Sequence, residues 1–237
     1  MPCHAGCFPQ AAESEVKLAG AVLFLYGGMI GCALGENALL YSPIDFKNPP
    51  GTFVRVAEDL RAVSFVQADF KEERRLPYLK ESIHSQGIVV YAPQIGLQRE
   101  ITEPVREQWL ITSQEASLIT QEKDGSLKTL TQSAEFQVIA KSILAIFSGD
   151  LSDWNKQFHV FYREEQSSQW TLRFKPRKNN PLARFARTFE LSGTLGQIRW
   201  MLWEGKEGDK TETRFQNIDL RRGLSENEVR LLFSKNH

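Results

Sequence analysis

Between Ser64 and Thr112 the chain switches repeatedly between apolar and polar residues in short runs, and every run ends at a turn-forming residue. Val66, Ala68 and Phe70 alternate with Gln67, Asp69 and Lys71, the period of a strand with one buried and one wet face. After Glu72 to Arg75 and Pro77, a second run from Ile83 to Tyr91 places Ile83, Val89 and Tyr91 on one parity and Ile88 and Val90 on the other. Gly87 in its middle predicts a bend or bulge. Pro93, Gln94 and Gly96 predict a turn, Leu97 to Thr102 a return strand, Pro104 its end, and Gln108 to Thr112 the next strand. Such a series is an antiparallel meander.

The same period governs most of the remaining chain. Ala116 to Thr120 and Leu127 to Leu130 flank Lys123-Asp124-Gly125, whose Asp-Gly pair is a hairpin signal. Later runs put Phe158, Val160 and Tyr162 on one face, then Trp170, Leu172 and Phe174, then Phe185, Phe189 and Leu191, then Ile198, Trp200 and Leu202. Gly193 to Gly196 and Gly205 to Asp209 read as turns, and Thr211 to Ile218 as the last strand. Helical spacing occurs in three places. Phe53, Val56, Leu60 and Val63 predict a helix from about Thr52 to Val63. Phe136, Ile139, Ile143, Leu144 and Phe147, widened by Ile146 and stopped by Gly149, predict a second. Ser225 and Glu228 form a capping box for a third that ends near Phe233.

The fold class is therefore mainly β with a few helices. About ten antiparallel strands can lose their edges by closing a barrel or by curling into a covered sheet, and either form makes an apolar concavity. The helix after the first meander is placed to serve as a cover or as plain core packing.

Residues 1–35 read as a leader and 36–50, with Pro43, Pro49 and Pro50, as a linker to a body over 51–237. Leu18 to Leu34 is apolar and glycine-rich, too short for a span of about 20 residues and suited to a signal-peptide core. Cleavage after Gly35 would follow Ala33-Leu34-Gly35, and Met29-Ile30-Gly31-Cys32 is an imperfect lipobox in which Cys32 would be acylated. The expected location is the periplasm. Cys3, Cys7 and Cys32 are the chain's cysteines, so a body without thiols suits an oxidising compartment. Cys3, His4 and Cys7 lack a fourth ligand, and no metal or cofactor is expected.

The chain carries 29 basic and 29 acidic residues. Removing the leader takes away Lys17, Glu13 and Glu15 and leaves a net charge of +1, which argues against nucleic acid as partner. Without the leader, His84, His159 and His237 are the histidines, and no G-x-S-x-G, H-E-x-x-H or C-x-x-C occurs. Those absences argue against an enzyme. Asp69 and Glu100 fall on strands with nothing in the sequence to pair them.

Ser64, Phe65, Ala68 and Phe70 approximate a phrase S-F-x-A-x-F-x-Q. Gly87, Val89, Tyr91 and Pro93 approximate G-x-L-x-Y-x-x-P; Leu97 and Pro104 then frame a short return strand, and Leu110 to Ser113 the strand after it. In order and spacing these resemble the periplasmic outer-membrane lipoprotein carrier (LolA-like) family, over roughly 51–233. The likeness is to a divergent branch that accompanies acyl-chain and polyene biosynthesis. The resemblance implies a curled antiparallel sheet or incomplete barrel with a helical lid, binding a lipid or acylated protein in a hydrophobic cavity. It also implies a monomer that meets an inner-membrane release complex and an outer-membrane acceptor. A lipid sensor or envelope assembly factor of the same fold is the alternative. The cavity residues it implies are Val66, Phe70, Val89, Tyr91, Leu97, Ile101, Trp109, Ile143, Phe147, Trp170, Leu172, Phe189 and Trp200. The family's basic residue before the turn proline is Ala92 here, and Arg99 stands near the place of a strand aromatic. Arg99 shares the parity of Leu97 and Ile101, so it must meet a carboxylate inside, reach the rim, or hold an anionic group of the ligand.

Overall fold

The computed structural model describes residues 41–112, 116–121, 127–131, 134–164 and 168–234. The leader with Cys3, His4, Cys7 and Cys32, the linker residues 36–40, and Lys123-Asp124-Gly125 lie outside the described residues. All described residues belong to the unit Cys32–His237.

The alternating runs become strands as their period demands. β1 (Ser42–Pro43) precedes α1 (Gly51–Arg61). A first meander follows: β2 (Val63–Arg75), β3 (Ile83–Ala92), β4 (Gly96–Glu103), β5 (Glu107–Thr112), β6 (Ala116–Gln121) and β7 (Leu127–Thr131). Two helices, α2 (Ala134–Phe147) and α3 (Leu151–Gln157), carry the chain to the second meander of β8 (Phe158–Glu164), β9 (Gln169–Pro176), β10 (Ala186–Thr194), β11 (Gln197–Gly205) and β12 (Lys210–Arg222). The last helix is α4 (Glu226–Ser234). The twelve strands form one sheet in the order β1-β8-β9-β10-β11-β12-β2-β3-β4-β5-β6-β7. Each meander is local in sequence, and the β12–β2 pairing joins them, from Lys210 opposite Arg75 to Arg222 opposite Val63. The sheet curls without closing, with β1 and β7 at its edges.

Three details differ from the sequence reading. Val63 opens β2 and does not end α1, since its side chain is buried in the sheet. Ser42 and Pro43, inside the expected linker, pair with Tyr162 and Phe161 of β8. α3 was not foreseen: Asp150 starts it by accepting from the backbone N–H of Ser152 at 2.8 Å and Asp153 at 3.0 Å, an N-cap on a helix too short to show a period.

Cross-strand register fixes the faces. Val66, Ala68 and Phe70 stand opposite Tyr91, Val89 and Gly87; Tyr91, Val89 and Gly87 stand opposite Leu97, Arg99 and Ile101. Those three in turn oppose Ile111, Trp109 and Glu107. On the other side Phe189 and Leu191 oppose Phe174 and Leu172, which oppose Val160 and Tyr162. These residues line the inner face, which α1, α2 and α3 cover. Gly87 sits at a register shift between β3 and β4, and any Cβ there would collide with the Glu100 carbonyl, so the predicted bulge is a place of close strand approach.

The outer face is largely polar, with its buried apolar patch under α4. Phe65, Val90 and Ala92 meet Val229 and Phe233 of α4, and α4 begins with the predicted box, Glu228 accepting from the Ser225 N–H at 2.8 Å. Elsewhere the outer face carries ion pairs such as Arg173–Glu190 at 2.6 Å. Tyr41, just before β1, stacks under Arg173, 3.9 Å from guanidinium to ring centroid, and donates to Glu190 at 2.7 Å. Burial, then Glu190, pushes its phenol up to about 12.

Candidate hydrophobic site on the inner face

The inner face is sealed at one side and half open in the middle. Under α1 and α3, aromatic rings close over β8 and β9. Phe53 lies 5.9 Å from Trp154 and 5.8 Å from Tyr162, and Trp154 lies 5.1 Å from Phe174 (ring centroids). Phe53, Trp154, Phe158 and Phe174 are 0% exposed. The Trp154 indole N–H donates to the Ala145 carbonyl at 2.8 Å, tying α3 to the end of α2. The region is a finished core.

The strip formed by β11, β12, β2, β3 and β4 differs. Val66, Val89, Tyr91 and Leu97 are only partly buried, as are Met201, Trp203 and Phe215 from β11 and β12. One cover above this strip is α2, which touches β5, β6 and the 181–184 turn between β9 and β10 and so spans between the two arms of the curl. Its Ile139, Ala140, Ala145 and Ile146 are buried, whereas Ile143, Leu144 and Phe147 are half-exposed. Phe147 reaches Tyr91, with ring centroids 5.9 Å apart. Apolar side chains left partly exposed on this face keep hydrophobic free energy to gain from further burial, about 0.8 kcal/mol for each methylene taken from water.

One end of the strip is polar. Arg99 meets Glu72 at 2.9 Å, with the side chains 20% and 14% exposed, and its guanidinium lies 4.4 Å from the centroid of the Phe70 ring. Glu72 also accepts from the Thr213 hydroxyl at 3.1 Å and the Ser85 hydroxyl at 3.4 Å. Of the three outcomes open to Arg99, the one realised is an internal carboxylate. Glu107, on the same face, has its carboxyl raised by burial, a rise that Arg99 partly offsets. At the sealed side, the Trp170 indole N–H is buried without an acceptor among the described residues.

Most of the expected cavity residues fall on this face. Val66, Val89, Tyr91 and Leu97 sit in the open strip, with Ile143 and Phe147 above it. Phe70 and Ile101 are buried at its polar end, Trp109 is buried in β5, and Trp170, Leu172 and Phe189 belong to the sealed side. Trp200 does not join them. It stands opposite Arg214, on the outer face, and its indole N–H donates to Glu212 at 3.0 Å. Met201 and Trp203 take the inward parity, with Trp203 4.3 Å from Phe189 (ring centroids). From Ile198 to Trp203 every residue but Arg199 is apolar, so parity alone could not choose the inner set; register to Phe189 does. Glu72, Glu107 and Thr213 were also missed, because a polar residue at inward parity looks like the end of a strand. Asp69 and Glu100 are on the outer parity, where Asp69 accepts from Asn217 at 2.6 Å and Glu100 pairs with Arg106 at 2.9 Å. His84 and His159 are exposed.

Among the described residues no cluster of metal-ligand type occurs, and no helix is long and apolar enough to cross a membrane.

A family model described as outer membrane lipoprotein carrier protein LolA-like matches residues 54–218. Among solved structures, a LolA superfamily protein from Nitrosomonas europaea is 11% identical with a TM-score of 0.39, the match covering 74% of this chain and 94% of that one. The MucA/MucB complex of Pseudomonas aeruginosa gives 16% and 0.40, over 75% of this chain and 59% of that one. LprF from Mycobacterium bovis gives 10% and 0.32, over 73% and 93%. No curated protein sequence matches the chain significantly.

Proposed function

Because the chain belongs to the outer membrane lipoprotein carrier protein LolA-like family, we propose that it binds a lipid or the acyl chains of a lipoprotein and carries them across the periplasm toward the outer membrane. The observation that carries this reading is the half-buried apolar strip Val66, Val89, Tyr91 and Leu97 beneath the half-exposed Ile143 and Phe147 of α2. A folding core has no use for such a strip, since the adjoining β8–β10 side shows how completely the same fold can close. The acyl chain lies along the strip and α2 yields to it. The Arg99, Glu72 and Thr213 cluster sits under the polar end of the cargo and offers donors and acceptors together. The family's members act as carriers, and this protein binds and hands over cargo without chemistry on it. It works as a monomer, exported by its leader, receiving cargo from an inner-membrane release complex and giving it to an outer-membrane acceptor.

Native mass spectrometry tests the binding. After delipidation and re-exposure to a lipid extract, the protein should carry lipid-sized adducts, and a clean apo spectrum under both conditions would sink the proposal. Exchange of a fluorescent lipid between vesicles tests the delivery: a carrier accelerates it, and binding without acceleration removes transport.

A further inference from the structure

The chain is neutral overall, yet its positive charge is gathered locally. From Arg173 to Thr188 the sequence holds Arg173, Lys175, Arg177, Lys178, Arg184 and Arg187 with no acidic residue. This run covers the end of β9, the 181–184 turn and the start of β10. Against it α2 brings Lys141 and the end of α3 brings Lys156, and between these elements lies a cleft of about 220 Å³ lined by Lys141, Ser142, Lys156, Gln157, Asn179, Asn180 and Pro181.

The cleft's lining holds two lysines and three amide side chains with a serine and a proline, and no carboxylate; much of its wall is the apolar part of these side chains. Lys141 and Lys156 are exposed, and the ion pairs among the described residues engage neither. Arg177, three residues before Asn180, donates to the Asn155 carbonyl at 2.9 Å, and the ion pairs among the described residues do not engage it. Asn180, 6% exposed, is fixed from both ends: its Oδ1 accepts from the Leu182 N–H at 2.9 Å and its Nδ2 donates to the Gln157 carbonyl at 3.3 Å. That amide nitrogen keeps a second proton. The field is felt nearby, since burial and then Arg177 and Lys175 hold the His159 imidazole below its usual range.

Two ammonium groups beside neutral amide donors complement the charge and acceptors of a tetrahedral oxyanion, and the rest of the recess has room for the group it is esterified to. We infer that this cleft binds a phosphate ester, with Lys141 and Lys156 as its charge-bearing contacts and Asn179 and Asn180 supplying neutral donors. The inference deepens the carrier reading by giving the cargo an anionic headgroup, held outside the sheet against the flank of α2. Since Lys141 belongs to α2, the helix that covers the apolar strip also contacts the headgroup, and occupancy of one site bears on the other.

The test titrates the full chain with inorganic phosphate while following the amide resonances of Lys141, Ser142, Lys156 and Asn179. Vesicles of phosphatidylcholine follow, alone or with phosphatidylglycerol added. Saturable shifts of those amides are expected, with affinity about tenfold weaker in the Lys141→Gln/Lys156→Gln double variant and unchanged in Lys80→Gln. Both lysines are exposed, so the double variant should melt with the parent. A vesicle preference for phosphatidylglycerol that the double variant loses identifies a lipid headgroup; phosphate shifts without any vesicle preference identify a soluble phosphate ester. Either outcome supports the cleft. No saturable shift with phosphate, together with vesicle binding indifferent to the double variant, overturns it. Binding of a fluorescent fatty acid, measured alongside, reports on the apolar strip by itself, so failure of that reading would leave the phosphate shifts in place.

Discussion

The sealed β8–β10 side and the open β12–β4 strip are written in the same alternating code, on one sheet and one face, and they end in different states. What separates them is the cover. Over the first, α1 and α3 bring Phe53 and Trp154, both fully buried, into ring contact with Phe174 and Tyr162. Over the second, α2 offers Phe147 to Tyr91 at 5.9 Å between ring centroids and leaves Ile143 and Leu144 half-exposed. Close packing of aromatic rings stabilises the fold and leaves no volume. Over the strip, Val66, Val89, Tyr91 and Leu97 keep part of their surface exposed. Within one molecule, the same face is thus completely packed on one side and incompletely packed on the other.

The largest effect should come from opening the sealed side. Phe174→Ala removes a ring packed against Trp154 and Phe158 and should cost about 3–5 kcal/mol in chemical denaturation. Its effect on fatty-acid affinity should be no more than the loss of folded protein explains; a selective affinity loss with little destabilisation would erase the division between the two sides.

Phe147→Ala should do the reverse. The ring is partly exposed, so stability should fall by about 1 kcal/mol or less, while acyl-chain affinity falls about tenfold, the worth of roughly half a buried aromatic side chain. Fluorescent fatty-acid titration beside a denaturant melt reads both. If the melt collapses and affinity per folded molecule is unchanged, α2 is core and not cover.

The smallest effect belongs to the polar end of the strip. Burial raises the Glu107 carboxyl in the folded protein, so the folded state holds its proton more tightly than the unfolded chain does. Its contribution to stability is present below the unfolded carboxylate range and is lost as pH rises through the folded value. Glu107→Gln should therefore make the protein slightly more stable at neutral pH than the parent and no more stable under acid conditions. Stability curves across pH that run parallel for the two proteins would show that Glu107 is not desolvated.

Strand identity was legible because Val66 to Phe70 and Phe158 to Tyr162 alternate cleanly and because the Gly87 and Gly193–Gly196 signals fall where the backbone needs them. The inner face was legible wherever one parity is polar. It was not legible at Ile198 to Trp203, where both parities are apolar; Trp200 and Trp203 were sorted only by which residue each meets across the strand. The Glu72–Arg99 pair was half legible. Arg99 at an apolar parity demanded a partner, but Glu72 lies twenty-seven residues earlier and is brought alongside by a register that sequence does not state. Which inner-face residues stay partly exposed was not legible at all, since it depends on where the helices come to lie across the sheet.

The turn after α2 limits how that helix can give way. Gly149 has φ +68°, and a side chain there would press on the Arg61 backbone nitrogen at 2.7 Å, so the end of α2 is butted against the last turn of α1. The Trp154 indole pins the same end through the Ala145 carbonyl. Both anchors hold the same end of α2, at residues 145–149, and fasten it to the sealed side of the sheet, so the helix is fixed to α1 and α3 at one end while its body reaches across to β5 and β6.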